Sequence, residues 1–452
     1  MDSLLAVVYL LTCVLLMIRM IIGKNVLDCH LGVIGAFSLG YYPLPVLVKS
    51  ISNLDYYPES IIFEALLIHW LFLVFLIIGT NVGRYLFTNI RPLKVPPIDN
   101  LLHKYRLFLS IIAFGIYITY YSTQSLTSYS SDDFEAYFSE RGRFVAVIAA
   151  FGAMSLAYLA VSLSASWKAG DRTGLLVIGG MFIVSVALTL TLGQRLIIIS
   201  PIFVLLASLY ASGQRDKAIR ILGAAVILLL FVSPISVYIR ENRADRAVKD
   251  NVLQGFSYSD GLVATSFRSI VDRADLIFVT INMKRYIDLA PPPSLTYYLS
   301  VLAIPIPKII LPGKPYVLSD DGTPSGELSI WAWRVLHGGT GSLTAFGGLY
   351  AYREGGWVWI CFNGLLAGML FAAIARWLGG AATLGRFFYS FLFIGLAVKK
   401  VPPSFFEALA ECMTALPFIV FAILVGFAWT HLPRQDRNRF PPRNRTLKVG
   451  RQ

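Results

Sequence analysis

Long hydrophobic runs alternate with short polar connections along the whole chain. Four clear examples are the predominantly apolar runs Leu4–Ile22, Ile61–Val82, Leu175–Gly193 and Ile221–Ile239. At about 1.5 Å of rise per residue, a helix of this length crosses a hydrocarbon core of about 30 Å. Because such runs recur, the pattern predicts an all-α polytopic membrane protein rather than a soluble domain with one anchor.

The charges between the runs orient them in the bilayer. Short connections rich in arginine and lysine all fall on one side when the spans alternate, and by the positive-inside rule that side is the cytoplasm. They lie at Arg19–Lys24, Arg84–Arg106, Lys168–Arg172, Arg215–Arg220 and Arg376–Arg386. The result is about eleven transmembrane helices, with the N-terminus outside and the C-terminus inside. The predicted spans are 4–22, 26–48, 61–82, 107–122, 144–166, 174–192, 196–212, 220–239, 355–375, 387–398 and 405–430.

One connection is much longer than the others and lies on the outer side. The predicted organisation is 1–239 for helices one to eight, 240–354 for this large outer loop, 355–431 for helices nine to eleven, and 432–452 for a basic cytoplasmic tail. A loop of this length is expected to fold and to carry function. Within it, Gly255–Leu289 has amphipathic helical spacing. Tyr297–Ile310 is apolar but broken by prolines, so we expect it to re-enter or lie at the interface.

Composition narrows the alternatives. The chain is 56% hydrophobic and 14% charged, with a mean hydropathy of +0.66. We assign its net charge of +13 to contact with anionic lipid headgroups rather than nucleic acid. The four cysteines lie in apolar runs, which argues against a disulfide framework or a zinc site. No basic residue precedes the first run, so we expect a retained helix rather than a cleaved signal peptide.

Arginines stand at the outer mouths of the predicted spans. Arg195 ends a tight Gly-Gln-Arg turn, and Arg240, Arg243 and Arg246 follow the eighth span at a spacing that groups them on a continuing helix. Guanidinium groups bind phosphate in a bidentate manner, whereas anionic lipid is concentrated on the cytoplasmic side. The pattern favours a pocket that binds a lipid-linked diphosphate. Lys314, in a Pro-Gly-Lys-Pro motif, is a further candidate for binding the diphosphate. The alternative is a set of headgroup anchors.

A glycine-rich stretch before the ninth span contains the candidate general base. His337 is the only histidine of the large outer loop, and histidine accepts protons near neutral pH. Glu327 and Glu354 are competing bases. A single histidine can equally be a hydrogen-bonded structural residue, so the alternatives stay open.

Carboxylates and aromatic rings of the outer segments are candidates for binding a glycan. Sugar hydroxyls bind to carboxylates and sugar faces stack on rings, for which we single out Asp260, Asp272, Tyr350 and Tyr352. The alternative is a solvated loop with interfacial aromatics. The sequence has no spaced metal-ligand motif and no nucleotide-binding motif, so we predict no metal and no cofactor.

Several of these features together resemble a known family. They are the Gly-Gln-Arg turn between spans six and seven, the arginine cluster that opens the long loop, Pro305-x-Pro307…Pro312-x-Lys314-Pro315, and Phe346-Gly-Gly…Gly355-Gly356. Over residues 60–430 this pattern resembles the Wzy-type polymerases of bacterial O-antigen and exopolysaccharide repeat units. The related O-antigen ligases use a histidine of the long outer loop, in a region comparable to that of His337.

The resemblance implies a GT-C-like integral-membrane glycosyltransferase that works without metal or nucleotide. The growing glycan on undecaprenyl diphosphate would be transferred to a new lipid-linked repeat unit on the periplasmic face of the inner membrane. Arg195, Arg240 and Arg243 would bind diphosphate, and His337 would act as base. A chain-length regulator protein is an implied partner, and nucleic acid is not.

Two other functions remain as alternatives from the sequence. An O-antigen ligase would share the fold and differ only in its acceptor. A lipid-linked glycan transporter or flippase would need charged groups at mid-membrane in paired halves. Asp28, Glu64, His69 and Glu411 lie near spans, but mostly toward the ends, and no halves correspond. A receptor or structural protein would leave the arginine and glycine clusters unexplained.

Overall fold

The computed structural model describes residues 2–51, 58–126, 142–191, 195–224, 276–289, 298, 301–306, 347–380, 382–399 and 402–431. These residues form helices and no β-strand, which confirms the predicted all-α fold class. The helices are α1 (Asp2–Ile22), α2 (Val26–Tyr41), α3 (Pro43–Ile51), α4 (Glu59–Leu86), α5 (Pro96–Lys104), α6 (Arg106–Leu126), α7 (Gly142–Ala169), α8 (Arg172–Thr191), α9 (Arg195–Ala211), α10 (Leu276–Leu289), α11 (Gly347–Leu378), α12 (Thr383–Phe393) and α13 (Phe405–His431). A short π-helix, Ile394–Lys399, continues α12.

Six helical segments of the described chain are long and apolar enough to cross a membrane, and the number is seven if α5 and α6, bent by 83°, form one broken span. The six are α1, the joined α2 and α3, α4, α7, α11 and α13, while α8, α9 and α12 are shorter apolar helices. Every predicted span except the eighth coincides with a described helix. Only residues 220–224 of the eighth span are described, as helix, and most of the large outer loop lies outside the described residues, so the total of eleven stays a prediction.

The amphipathic helix predicted in the large loop is described only in its second part. α10 ends at Leu289, just before the prolines that begin at Pro291. Its residues Ile277, Ile281 and Met283 are buried, as expected for the apolar face of such a helix. Of the predicted re-entrant segment, only Tyr298 and residues 301–306 are described, as helix and turn.

The basic connections of the chain lie together at one end of the helix bundle, which we call the basic end. Arg19 near the end of α1 and Arg84 near the end of α4 both donate to Asp28 Oδ1 near the start of α2, with 2.9 Å between Arg19 Nε and Asp28 Oδ1. The hydroxyl of Tyr210, near the end of α9, donates to the carbonyl oxygen of Met20 at 2.6 Å. Arg19 also donates to Asn81 Oδ1 of α4 at 3.1 Å, so side chains from α2, α4 and α9 all contact the end of α1.

The neighbouring helix ends at the basic end are joined in the same way. Lys168 at the end of α7 donates to the carbonyl oxygen of Ser212 at 3.2 Å. Arg106 at the start of α6 forms an ion pair of 2.6 Å with Asp171, which lies between α7 and α8. The Gly174 backbone N–H and the Arg106 guanidinium hold the pKa of Asp171 below its usual range.

Removing the Asp28 carboxylate is expected to destabilise the bundle. Asp28 is 4% exposed and is the counter-charge of two partly exposed arginines. Asp28→Ala leaves both guanidinium groups without a counter-charge, so the free energy of unfolding should fall by about 1–3 kcal/mol. This loss is smaller than for a fully buried ion pair, because both arginines are partly exposed. Thermal unfolding in detergent measures this loss. Asp216→Ala removes an exposed carboxylate near the same end and should leave Tm nearly unchanged; equal Tm values for both variants would contradict the prediction.

α4 and α11 pack against each other more extensively than any other described pair. Each helix carries glycines four residues apart at the contact, Gly79 and Gly83 on α4 and Gly364 and Gly368 on α11. A Cβ atom on Gly368 would lie 2.6 Å from the backbone nitrogen of Thr80, and one on Gly364 would lie 2.7 Å from a backbone oxygen of α4. This is the close backbone approach that small residues permit in membrane helix pairs.

The two helices of this pair run in the same direction. His69 in the first part of α4 lies against Gly348 at the start of α11. At the basic end, Arg376 of α11 donates to the carbonyl oxygen of Thr88, just past the end of α4, at 2.9 Å. In the predicted topology these helices are spans three and nine, which cross the bilayer in the same direction, so the packing agrees with that topology.

Candidate functional site

A second group of polar side chains lies at the end of the bundle opposite the basic end. Along α4, Glu64 and Arg84 are separated by roughly 30 Å at about 1.5 Å per residue, which is about the thickness of a hydrocarbon core. The start of α11 also lies at this opposite end, where the backbone N–H of Gly347 donates to the carbonyl oxygen of Pro402 at 2.8 Å. The first parts of α4, α11 and α13 therefore meet here, together with α10.

Four of these residues, Glu64, Lys284, Asp288 and Tyr352, form what we call the Lys284 network. Lys284 Nζ lies 2.7 Å from Asp288 Oδ2 and 3.2 Å from Glu64 Oε2. The Tyr352 hydroxyl donates to Asp288 Oδ1 at 2.8 Å, and the Lys284 ammonium lies 5.3 Å from the centroid of the Tyr352 ring. The network thus connects α10 to both α4 and α11.

The residues around Lys284 stabilise its protonated, positively charged form. Burial alone would lower the pKa of Lys284, but the hydrogen bonds to Asp288 and Glu64 outweigh it and raise the pKa above its usual range. The side chains of Glu64 and Asp288 are 48% and 42% exposed. The exposed Trp357 packs edge-on against Tyr352, with ring centroids 5.5 Å apart. Carboxylate oxygens beside aromatic rings are an arrangement that can bind the hydroxyls and the apolar face of a sugar.

A second set of contacts, the Glu354 network, forms where α11 is broken. Gly356 has φ 71° and ψ −156°, a conformation essentially restricted to glycine. Glu354 precedes the break, and its Oε2 accepts hydrogen bonds from Trp359 Nε1 at 2.9 Å and Asn363 Nδ2 at 2.6 Å. Both donors belong to the part of α11 after the break, so the Glu354 carboxylate connects the two parts of the helix.

The start of α13 completes the Glu354 network. Asn363 Oδ1 accepts a hydrogen bond of 2.7 Å from the backbone N–H of Phe405. Ser404 and Glu407 form a capping box: the Glu407 N–H donates to Ser404 Oγ at 3.3 Å, and the Ser404 N–H donates to Glu407 Oε2 at 2.9 Å. The Asn363 amide is therefore fixed between α13 and Glu354.

Two of the described histidines, His30 and His69, are buried within the helix bundle. His69 Nε2 lies 2.8 Å from Thr280 Oγ1, and its ring stacks on Tyr42 with centroids 3.9 Å apart, so it joins α4 to α10 next to the Lys284 network. His30 stacks on Phe371, with centroids 4.5 Å apart, and its Nε2 lies 3.3 Å from the carbonyl oxygen of Leu396. His30 was not singled out from the sequence, and its contacts are those of a packed structural residue.

Only some of the site residues predicted from the sequence fall in the described part of the chain. Arg195 is the first residue of α9, which reaches the basic end at its other terminus, near Tyr210. Tyr350 is 2% exposed on α11, and Tyr352 belongs to the Lys284 network. Outside the described residues lie His337, Glu327, Arg240, Arg243, Arg246, Lys314, Asp260 and Asp272. Their roles stay predictions.

The structure adds residues that the sequence did not bring together. Lys284 and Asp288 are four apart on a helix, which is a visible signal for an ion pair, but nothing in the sequence indicates that Glu64 joins them. Within the described ranges, no three His, Cys, Asp or Glu side chains form a group that could hold a metal ion.

Comparison with known proteins identifies the family. No curated protein and no solved structure matches the chain. The family model described as O-antigen polysaccharide polymerase Wzy matches residues 2–276, from α1 to the first residue of α10. These residues include Arg195 and the arginine cluster after the eighth predicted span, and they make up more than half of the chain. The match confirms the resemblance found in the sequence, and the chain belongs to the O-antigen polysaccharide polymerase Wzy family.

Proposed function

We propose that this protein joins undecaprenyl-diphosphate-linked oligosaccharide repeat units by glycosyl transfer at the periplasmic face of the bacterial inner membrane. The observation that carries the proposal is the family match over residues 2–276, because this family comprises O-antigen polymerases that act on lipid-linked repeat units. The apolar helices long enough to cross a membrane agree with a multi-pass enzyme of this kind.

The charge distribution supports the orientation. The positive-inside rule assigns the basic end to the cytoplasm, so the Lys284 and Glu354 networks would face the periplasm. α9 has one terminus near the basic end and begins with Arg195 at the other, which would bring Arg195 to the periplasmic side as well. Substrate groups at that face would meet a cation, carboxylates and aromatic rings within one end of the bundle.

The proposed chemistry needs charge stabilisation and a proton acceptor. The acceptor hydroxyl attacks the anomeric carbon of the growing glycan, and the bond from that carbon to the diphosphate oxygen breaks. Fixed cations stabilise the charge that develops on the diphosphate, for which the candidates are Arg195, Arg240, Arg243, Arg246 and Lys314. The acceptor proton needs a base within hydrogen-bond reach, for which the candidates are His337, Glu327 and Glu354. Asp260, Asp272 and Tyr352 are the proposed contacts to the glycan, whereas the ring of Tyr350, 2% exposed, is buried in the described structure.

The proposal is tested with the purified protein and lipid-linked repeat units in detergent. Wild-type protein should convert the single units into a ladder of lengthened glycans on a gel. Arg195→Ala should lower the rate by about 100-fold or more, since one donor to a developing anion contributes that much. Arg220→Ala is the matched control, because it removes an exposed arginine near the basic end and should leave the ladder intact.

Equal ladders from Arg195→Ala and Arg220→Ala would remove Arg195 from the site but leave the polymerase function in place. Two other results would contradict the proposed function itself. Transfer of finished glycan to a lipid A core acceptor, without any ladder, would identify a ligase. Movement of lipid-linked glycan across vesicle membranes, again without a ladder, would identify a transporter.

A further inference from the structure

Glu354 has one carboxylate oxygen that is fully engaged and one that is not. Oε2 accepts hydrogen bonds from Trp359 and Asn363. Oε1 is buried and has no hydrogen-bond partner in the described part of the chain. Buried carboxylate oxygens are nearly always paired, because leaving one without a donor costs free energy. The unpaired oxygen therefore calls for a donor that the described residues do not supply.

The hydrogen bonds by which Glu354 joins the two parts of α11 do not involve Oε1. Its Oε2 alone connects the carboxylate to the part of α11 that follows the break. Asn363 cannot rotate freely to pair with Oε1, since its own Oδ1 accepts the backbone N–H of Phe405 at 2.7 Å. The carboxylate is thus fixed in one orientation, with the acceptor capacity of the buried Oε1 unused by the described residues.

The break brings Glu354 close to the polar end of the bundle. Glu354 is 9% exposed, whereas Gly355 and Trp357, one and three residues further along α11, are exposed. Tyr352, two residues earlier, already belongs to the Lys284 network. Among the described residues, the charged and titratable groups that act on Glu354 are Arg353 on its own helix, Glu407 on α13, and Tyr298.

We propose that Glu354 is the general base of the transfer reaction. Glu354 Oε1 accepts a hydrogen bond from the attacking hydroxyl of the acceptor glycan and takes its proton as the new C–O bond forms at the anomeric carbon. The bond from that carbon to the diphosphate oxygen breaks, and its electron pair leaves with undecaprenyl diphosphate. This inference rests on the proposed function and selects Glu354 over His337 and Glu327 as the proton acceptor.

The decisive variant is Glu354→Gln, whose side-chain oxygen can still accept from Trp359 and Asn363 but takes no proton. We expect kcat for glycan lengthening to fall by about 100- to 10,000-fold, with a much smaller change in KM and an unchanged Tm. Glu59→Gln neutralises an exposed carboxylate at the start of α4 and should retain wild-type kcat. In Glu354→Ala, added formate should restore part of the activity, because a small carboxylate can occupy the space that the side chain leaves. Formate should not restore Arg195→Ala.

The possible failures can be told apart. If wild-type protein makes no ladder, the proposed function fails and this inference fails with it. If wild type makes the ladder and Glu354→Gln retains its kcat, only the inference is overturned. A Glu354→Ala protein that formate does not restore, with a Tm well below that of wild type, would also overturn it, because the role of Glu354 would then be structural.

Discussion

Replacing Gly368 by alanine should leave much less folded protein, although it adds only one methyl group. The new Cβ would lie 2.6 Å from the backbone nitrogen of Thr80 and closer still to the carbonyl oxygen of Leu76. Both atoms belong to the backbone of α4, so they cannot move aside as the end of a side chain can. The two helices would have to separate along their shared contact, where a Cβ on Gly79, Gly83 or Gly364 would also come within 2.7 Å of the opposite helix.

The expected cost is a large part of the total stability. Overpacking typically costs about 1–3 kcal/mol, and contact with backbone should bring Gly368→Ala to about 3 kcal/mol or more, out of roughly 5–15 kcal/mol for a whole protein. Gly115→Ala is the matched control, since a Cβ there meets nothing within 4 Å. It should raise stability by about 0.5–1 kcal/mol through helix propensity. Thermal unfolding and the monodisperse fraction in gel filtration report both variants, and equal values for the two would show that α4 and α11 do not pack so closely.

Gly356→Ala should lower both stability and activity, with the larger effect on activity. At φ 71° and ψ −156° a side chain clashes with its own backbone, so the strain should cost about 1–3 kcal/mol. The chain can relieve the strain only by changing the break, which would move Glu354 relative to Trp359 and Asn363. If Glu354 is the base, a displacement of about 1 Å would slow transfer by about 100-fold.

The comparison for Gly356→Ala is Gly180→Ala, at a helical glycine with open space around it. The Gly180 variant should melt no lower than wild type and lengthen glycans at the wild-type rate. A Gly356→Ala protein with wild-type Tm and wild-type turnover would show that the break in α11 is not needed for folding or for activity.

Local properties of the sequence were enough to predict the helices. Hydropathy over a window the length of a span depends only on that window, so α1, α4, α11 and α13 could be found without knowing their neighbours. The pairing of α4 with α11 could not be predicted in this way. Gly79 and Gly83, like Gly364 and Gly368, are four apart and carry a visible packing signal, but the signal does not say which helix is the partner.

The candidate site was predictable only where a single residue carried the signal. Tyr352 was singled out as a ring that could stack on a sugar and Glu354 as a competing base before a span, and both belong to polar networks in the structure. Glu64 was considered only as a group that a transporter would need, whereas it contacts Lys284 of α10. Asp28 was considered in the same way and instead binds the arginines at the basic end. Contacts between distant segments depend on how the helices are arranged in the bundle. A local sequence pattern does not contain this information.

The parallel packing of α4 and α11 has a consequence for how the protein is made. The two helices are separated by most of the chain, so α4 enters the membrane long before its closest neighbour exists. At about 5–20 residues per second, the ribosome needs tens of seconds to reach α11. During that interval the glycine face of α4 is open to lipid or to other newly inserted helices. Biosynthesis of this polymerase therefore leaves its tightest contact until late, and a membrane insertase or chaperone that shields α4 would act within that interval.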